Sequence, residues 1–181
     1  YALNEDNPKY EYSFGYQNWY ESAKHETIGT RKNVGFFELT PFAKFEIEGE
    51  EAFSSLQYLC SNNIKNTPGS TTYTQMLNEQ GGIEADLTVT CITKNNFRIV
   101  SGSAVREHDK KHILKHLNKS VKFTDITDNF ACFGIFGPKS RNLLTKIFGN
   151  EFDNKQFPFG TGKFLKLNSL QIWLQRLSYV G

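Results

Sequence analysis

The sequence has no Cys-x-x-Cys pair, no Gly-x-Gly-x-x-Gly fingerprint and no apolar run approaching the ~20 residues of a membrane-spanning helix. The first absence argues against a zinc ribbon or a dithiol redox site. The second excludes a flavin or nicotinamide site of that type within these residues. The third leaves no transmembrane helix. Cysteine is scarce: Cys60, Cys91 and Cys132 are odd in number and far apart. Reduced thiols in an intracellular compartment fit them better than a disulfide framework. Charge of either sign is not in excess, since 21 basic against 19 acidic residues leave a net +2. That balance gives no electrostatic footprint for nucleic acid. Neither nucleic acid nor a membrane is an expected partner. There is no internal repeat, low-complexity tract or linker.

Aromatic residues are abundant instead: 16 Phe, eight Tyr and two Trp. They suit a planar ligand, and equally a core. The chain is organised around residues 73–101, YTQMLNEQGGIEADLTVTCITKNNFRIVS. Three strand-like runs follow one another there: 73–77, 83–93 and 97–101, separated by Gly81-Gly82 and by Lys94-Asn95-Asn96. The middle run alternates with period two. Ile83, Ala85, Leu87, Val89 and Cys91 take one face; Glu84, Asp86, Thr88 and Thr90 take the other. Asp is depleted inside strands, so Asp86 marks either a solvated sheet face or a ligand-facing one.

Around this centre, residues 1–20 read as an extended arm that Trp19 can anchor, and 21–34 as a helix. Residues 45–49 alternate as a strand, 50–60 form a helix with Phe53, Leu56, Leu59 and Cys60 on one face, and 62–70 form a loop. Residues 104–118 are helical by pattern and carry His108, His112 and His116 in one stripe. Three histidines on one helix rarely converge on one ion, so no metal site is expected. Residues 121–125 form a short strand, 130–136 a continuous apolar run read as a buried strand, and 138–148 a helix opened by Pro138. Gly137 before that helix is read as structural rather than phosphate-binding. Residues 163–167 and 171–178 pair as a hairpin about Asn168-Ser169. Strands and helices mix without strict βαβ alternation, so the class is α+β with mixed or antiparallel sheets and packed helices.

Four stretches carry a family resemblance: GFFELTPFAKFEIEGEEAF, YTQMLNEQGGIEADLTV, GIFGPKSRNLL and RLSYVG. Together they resemble the folate-binding aminomethyltransferase family. That family includes the glycine-cleavage T-protein and the folate domains of dimethylglycine and sarcosine dehydrogenases and oxidases. T-proteins carry His-Met near Pro41-Phe42, so the match points to the dehydrogenase branch. The resemblance implies the family's folate-binding fold, of which the chain is an N-terminal part: an arm over 1–20 and a partial domain over 21–181. The start without Met and the end after Tyr179-Val180-Gly181 fit a piece of a larger protein.

Asp86 falls on the family's catalytic aspartate. Tyr73 and Tyr179 match tyrosines that line the folate pocket. Thr90 and Gly102 stand where T-proteins place a tyrosine and an asparagine on the cofactor. The implied chemistry is capture of the methylene group of an oxidised N-methyl amine by tetrahydrofolate, as 5,10-methylenetetrahydrofolate. FAD would belong to a domain outside this chain. The expected partners are folate, a small N-methyl amine and the rest of the polypeptide. The expected location is the cytoplasm, or the mitochondrial matrix in a eukaryote. Two other readings stay open: a T-protein acting with a lipoyl carrier protein, and a folate-binding module without transfer activity. The glutamate expected after Gly181 and the domain's second half lie outside the sequence, so these residues alone are expected to be catalytically incomplete.

Overall fold

The computed structural model describes residues 9–149 and 152–178. In chain order its elements are α1 (Tyr20–Lys32), β1 (Gly35–Glu38), β2 (Ala43–Glu48), α2 (Ala52–Leu59), β3 (Thr71–Leu77), β4 (Ile83–Thr93), β5 (Asn96–Ser101), α3 (Arg106–His116), β6 (Lys122–Asp125), β7 (Phe133–Phe136), α4 (Ser140–Phe148), β8 (Thr161–Leu167) and β9 (Leu170–Arg176). All strand pairs are antiparallel, and the expected α+β class holds. The chain divides into two compact units, residues 1–38 with 133–150, and residues 39–132 with 151–181.

The second unit is built on a five-stranded sheet in the order β3-β4-β5-β2-β6. One face is the core. Leu87 and Val89 from β4, Phe97 and Ile99 from β5, and Phe45 and Ile47 from β2 are fully or nearly fully buried there. Helix α2 adds Ala52, Leu56 and Leu59 to the same cluster, and α3 adds Ile113. A period of 2 in the strands and of 3.6 in the helices brings these apolar stripes together. Pro41 precedes β2 rather than interrupting it, as a residue without an N–H must. The opposite face of the sheet carries polar side chains. The β8–β9 hairpin turns at Asn168, whose φ of 55° suits an Asn. It joins edge strand β3 through Thr71 N–H to Gly160 O at 2.8 Å and Gly162 N–H to Gly69 O at 2.6 Å.

In the first unit, β1 and β7 form a two-stranded ribbon. Gly137 follows β7 with φ +109°, and a Cβ there would stand 2.6 Å from the Asn33 carbonyl oxygen. Only glycine fits this approach, which agrees with its structural reading. The Trp19 ring meets those of Tyr10 and Tyr12 edge-on, each at 5.3 Å between centroids.

Three expectations need correction. The register of β3 on β4 steps from Met76–Ala85 to Leu77–Ile83, so Glu84 is an extra, bulged residue. The alternation is broken there, and Ile83 is 68% exposed instead of joining the core. The 130–136 run is not a buried strand: only 133–136 is strand, and Phe130, Phe133 and Phe136 are exposed. Continuous hydrophobicity does not by itself report burial on both faces. Helix α4 begins at Ser140, two residues after Pro138, with Lys139 as its N-cap.

One ionic network fixes the β6 end of the sheet. Asp125 accepts from Arg106 Nε at 3.0 Å and from the Thr127 hydroxyl at 2.7 Å. The Thr127 hydroxyl in turn accepts the Lys44 backbone N–H at 3.0 Å. Burial alone would raise the Asp125 pKa, but the hydrogen bonds from Arg106 and Thr127 outweigh it and hold it below the ordinary value. A carboxyl lowered on folding stabilises fully above its unfolded value of about 3.9, and that contribution is lost as pH falls through the folded value. Asp125→Asn should therefore destabilise by about 1–3 kcal/mol at neutral pH and flatten the acid limb of stability. Urea midpoints between about pH 7 and pH 3 check both parts; a parallel acid limb in the variant would remove Asp125 as its source.

Candidate functional site

The polar sheet face is laid out in rows by the strand register. Gln75 pairs with Asp86. In the next row Tyr73 pairs with Thr88, which faces Val100 and then Lys44. In the third row Thr71 pairs with Thr90, then Arg98, then Glu46.

Asp86 is exposed on this face, and its Oδ1 accepts the Gln75 Nε2–H at 3.0 Å. Tyr73 shares the face, one row away, and is 59% exposed despite its size. Gly102 directly follows Ser101, which pairs with Leu87, so it lies at the Asp86 end of β5. Thr90 is different. It is fully buried, with its hydroxyl 3.0 Å from that of Thr71 and donating to Gln175 Oε1 at 3.2 Å. The fold thus brings Asp86, Tyr73 and Gly102 to one open surface and seals Thr90 beneath the hairpin. Tyr179 lies outside the described residues.

Sequence spacing showed no cation near Asp86, and the fold brings two to the same face from β2 and β5. Both are already engaged. Lys44 is buried and its Nζ donates to the carbonyls of Thr40, Phe42 and Thr127 at 2.8, 2.9 and 3.2 Å. Burial lowers its pKa, partly countered by nearby acidic groups. Arg98 donates to Glu46 at 2.6 Å and lies over the Phe130 ring at 4.9 Å. Among the described residues, the Asp86 carboxylate sits beside an amide rather than in an ion pair. Gln75, Lys44 and Arg98 escaped sequence reasoning because antiparallel register, not spacing, places them. The one available signal was that Gln75 sits two residues after Tyr73, on its face.

No group of three or more His, Cys, Asp or Glu among the described residues could hold an ion. His108 instead lies between carboxylates, 3.2 Å from buried Asp109 and 3.1 Å from the bulged Glu84. Burial, and then the neighbouring His116, lower the pKa of His112. Cys60 is equally unsuited to chemistry, since burial pushes its thiol up to about 12.

The family profile described as the GCVT N-terminal domain matches residues 3–181. The chain is 30% identical over 182 residues to 4-methylaminobutanoate oxidase (formaldehyde-forming) of Paenarthrobacter nicotinovorans, covering 100% of this chain and 22% of the relative. It is 30% identical to human mitochondrial sarcosine dehydrogenase, over 94% of this chain and 20% of the relative. With rat mitochondrial dimethylglycine dehydrogenase it shares 31%, over 96% and 20% respectively. The chain thus spans about a fifth of the length of these relatives. Among solved structures, the glycine cleavage system aminomethyltransferase T of Bartonella henselae superposes with a TM-score of 0.71 at 19% identity, over 94% of this chain and 46% of that one. Heterotetrameric sarcosine oxidase of Corynebacterium sp. U-96 gives 0.59 at 11% identity, over 87% and 79%. At these identities the two superpositions speak for the fold.

Proposed function

The chain belongs to the GCVT N-terminal domain family, and from that membership we propose that its parent protein passes the one-carbon unit of an oxidised N-methyl amine to tetrahydrofolate. The product is 5,10-methylenetetrahydrofolate, and the demethylated amine is released. The observation that carries this reading is Asp86: an exposed strand carboxylate, hydrogen-bonded by Gln75 and without a cation paired to it among the described residues.

The polar sheet face is chemically suited to folate. Tyr73 is an exposed aromatic residue on this face, Gly102 lies at the Asp86 end of β5, and Asp86 supplies a carboxylate. Tetrahydrofolate, when bound, supplies the nitrogen nucleophiles that take the carbon. The chain's residues supply orientation and charge. The Asp86 carboxylate offsets the positive charge of the incoming iminium and accepts the proton that the attacking amine loses. Gln75 holds that carboxylate toward the face. Flavin oxidation of the amine would occur in another part of the parent polypeptide. The relatives support this branch, since each is named for oxidation of a methylamine-type substrate. A T-protein reaction with a lipoyl carrier is less well supported, because Thr90, at the position of a cofactor-contacting tyrosine, is sealed by Thr71 and Gln175. A mitochondrial location is part of the same proposal for a eukaryotic parent.

The test is a product balance. The parent protein, oxidising dimethylglycine, sarcosine or 4-methylaminobutanoate, should release formaldehyde without folate. With tetrahydrofolate, formaldehyde should fall as methylenetetrahydrofolate rises in equal amount. Formaldehyde release indifferent to folate for all three amines removes the reading.

A further inference from the structure

We infer that Gln175 of β9 is a specificity-determining residue, which presents its amide N–H groups to a carbonyl or ring-nitrogen acceptor on the edge of a flat ligand lying over the Tyr73–Asp86 face. This rests on the folate reading and goes beyond it by naming a recognition group at the end of the face away from Asp86.

The orientation of the amide follows from its neighbours. The Trp173 indole N–H can only donate, and it points at Gln175 Oε1 at 3.1 Å. The Thr90 hydroxyl donates to the same oxygen at 3.2 Å. A flipped amide would set its NH2 against the indole N–H, donor against donor, so Oε1 is fixed in place. Thr90 has one proton and gives it to Gln175, so Thr71 is the donor in the 3.0 Å Thr71–Thr90 pair. The resulting chain, Thr71 to Thr90 to Gln175 with Trp173 joining, locks the side chain. Its Nε2 is left over. Buried side-chain atoms without a partner among the described residues are Thr72 Oγ1, Asn96 Oδ1, Arg98 Nε, Ser101 Oγ and Asp109 Oδ2, and the Gln175 nitrogen is not one of them. Among the described residues the hydrogen bonds of Gln175 all fall on Oε1, so Nε2, being neither engaged nor buried without a partner, is open with two donors available.

Its place is defined too. Thr90 stands on the same strand face as Thr88 and Asp86, four residues from Asp86, which is about 13 Å along a strand. Tyr73, paired with Thr88, lies between. A ligand stacked on Tyr73 with its reacting atom at Asp86 would extend toward Gln175. A preorganised donor whose partners are locked loses little freedom on binding, and that favours recognition of an acceptor edge.

Gln175→Glu is the discriminating variant. It keeps an oxygen for Trp173 and Thr90 but turns the donor end into an acceptor. In the parent protein, tetrahydrofolate affinity by calorimetry should fall about 10-fold or more, the scale of a lost hydrogen bond with a donor replaced by an acceptor. Hydrogen exchange over residues 160–176 should stay as in the parent, because the hairpin remains docked. A tetrahydropterin lacking the glutamate tail should lose affinity similarly; loss confined to the tailed ligand is charge repulsion and overturns the proposal. So does unchanged affinity, which would leave the folate reading standing. In Gln175→Glu, weaker binding with faster exchange over 160–176 means an undocked hairpin and also overturns it. Gln175→Met should show that pattern, because it removes the acceptor on which Trp173 and Thr90 converge. A parent protein that binds no tetrahydrofolate overturns both the proposal and the reading beneath it.

Discussion

Asp86→Asn in the parent protein is expected to cut tetrahydrofolate-dependent capture of the one-carbon unit by roughly 10²–10⁴, the usual span for a general base. The substitution is nearly isosteric and keeps an oxygen to accept the Gln75 amide, whose bond to Asp86 is 3.0 Å long. What disappears is the charge and the proton acceptor. Among the described residues no neighbour on this face is a second carboxylate, because Arg98 and Lys44 are cations already engaged and the other face neighbours are Tyr73, Thr88 and Gln75. Tetrahydrofolate affinity should hardly change, since the role proposed for Asp86 lies in the transfer step. Flavin reduction by the amine should run at the parent rate, because the proposed reading puts it in another part of the polypeptide. Stopped-flow flavin bleaching, folate titration and methylenetetrahydrofolate yield separate the three quantities. Transfer at the parent rate would make Asp86 an ordinary solvated carboxylate. Loss of flavin reduction as well would point to misfolding rather than catalysis.

The largest expected loss of stability is at Phe45. Its side chain is fully buried in β2, the strand that pairs with both β5 and β6. Its ring lies 5.2 Å from that of Phe123, across the β2–β6 seam. Phe45→Ala removes most of this contact area and leaves a cavity that strand backbones, fixed by ladder hydrogen bonds on both sides, cannot close. The expected cost is about 3–5 kcal/mol. For a domain of this size that is a fall of roughly 6–20 °C in its melting temperature. Phe45→Leu, which keeps most of the volume, should cost far less. Calorimetry of the parent protein, comparing the two variants with the unsubstituted protein, checks this. Equal melting of the Ala and Leu variants would show that the sheet collapses around the cavity and that Phe45 is not the centre of packing.

The period-two pattern of 85–91 placed Leu87 and Val89 on the core side and Asp86 on the other, and the fold keeps both assignments. The local pattern sufficed because the sheet has one buried and one polar face, so register and burial agree. The same pattern failed at Ile83 and Glu84. A bulge depends on the partner strand, and nothing within 83–93 records the step between Met76 and Leu77. Phe130–Phe136 failed for a related reason. Its residues are apolar, but whether an apolar strand is covered depends on what packs against it, and a two-stranded ribbon covers neither face by itself.

The sequence by itself therefore determined the α+β class, the position of nearly every element, the family and the strand side on which Asp86 stands. Each of these rests on local periodicity, on turn chemistry or on motif identity, all of which are written in consecutive residues. Only the tertiary structure decided Gln75 as the partner of Asp86, the engagement of Lys44 and Arg98, the sealing of Thr90 and the locked amide of Gln175. Those contacts join residues up to 85 positions apart. Their partners are chosen by strand order and register, which arise from the packing of the whole sheet and which no short stretch of sequence encodes.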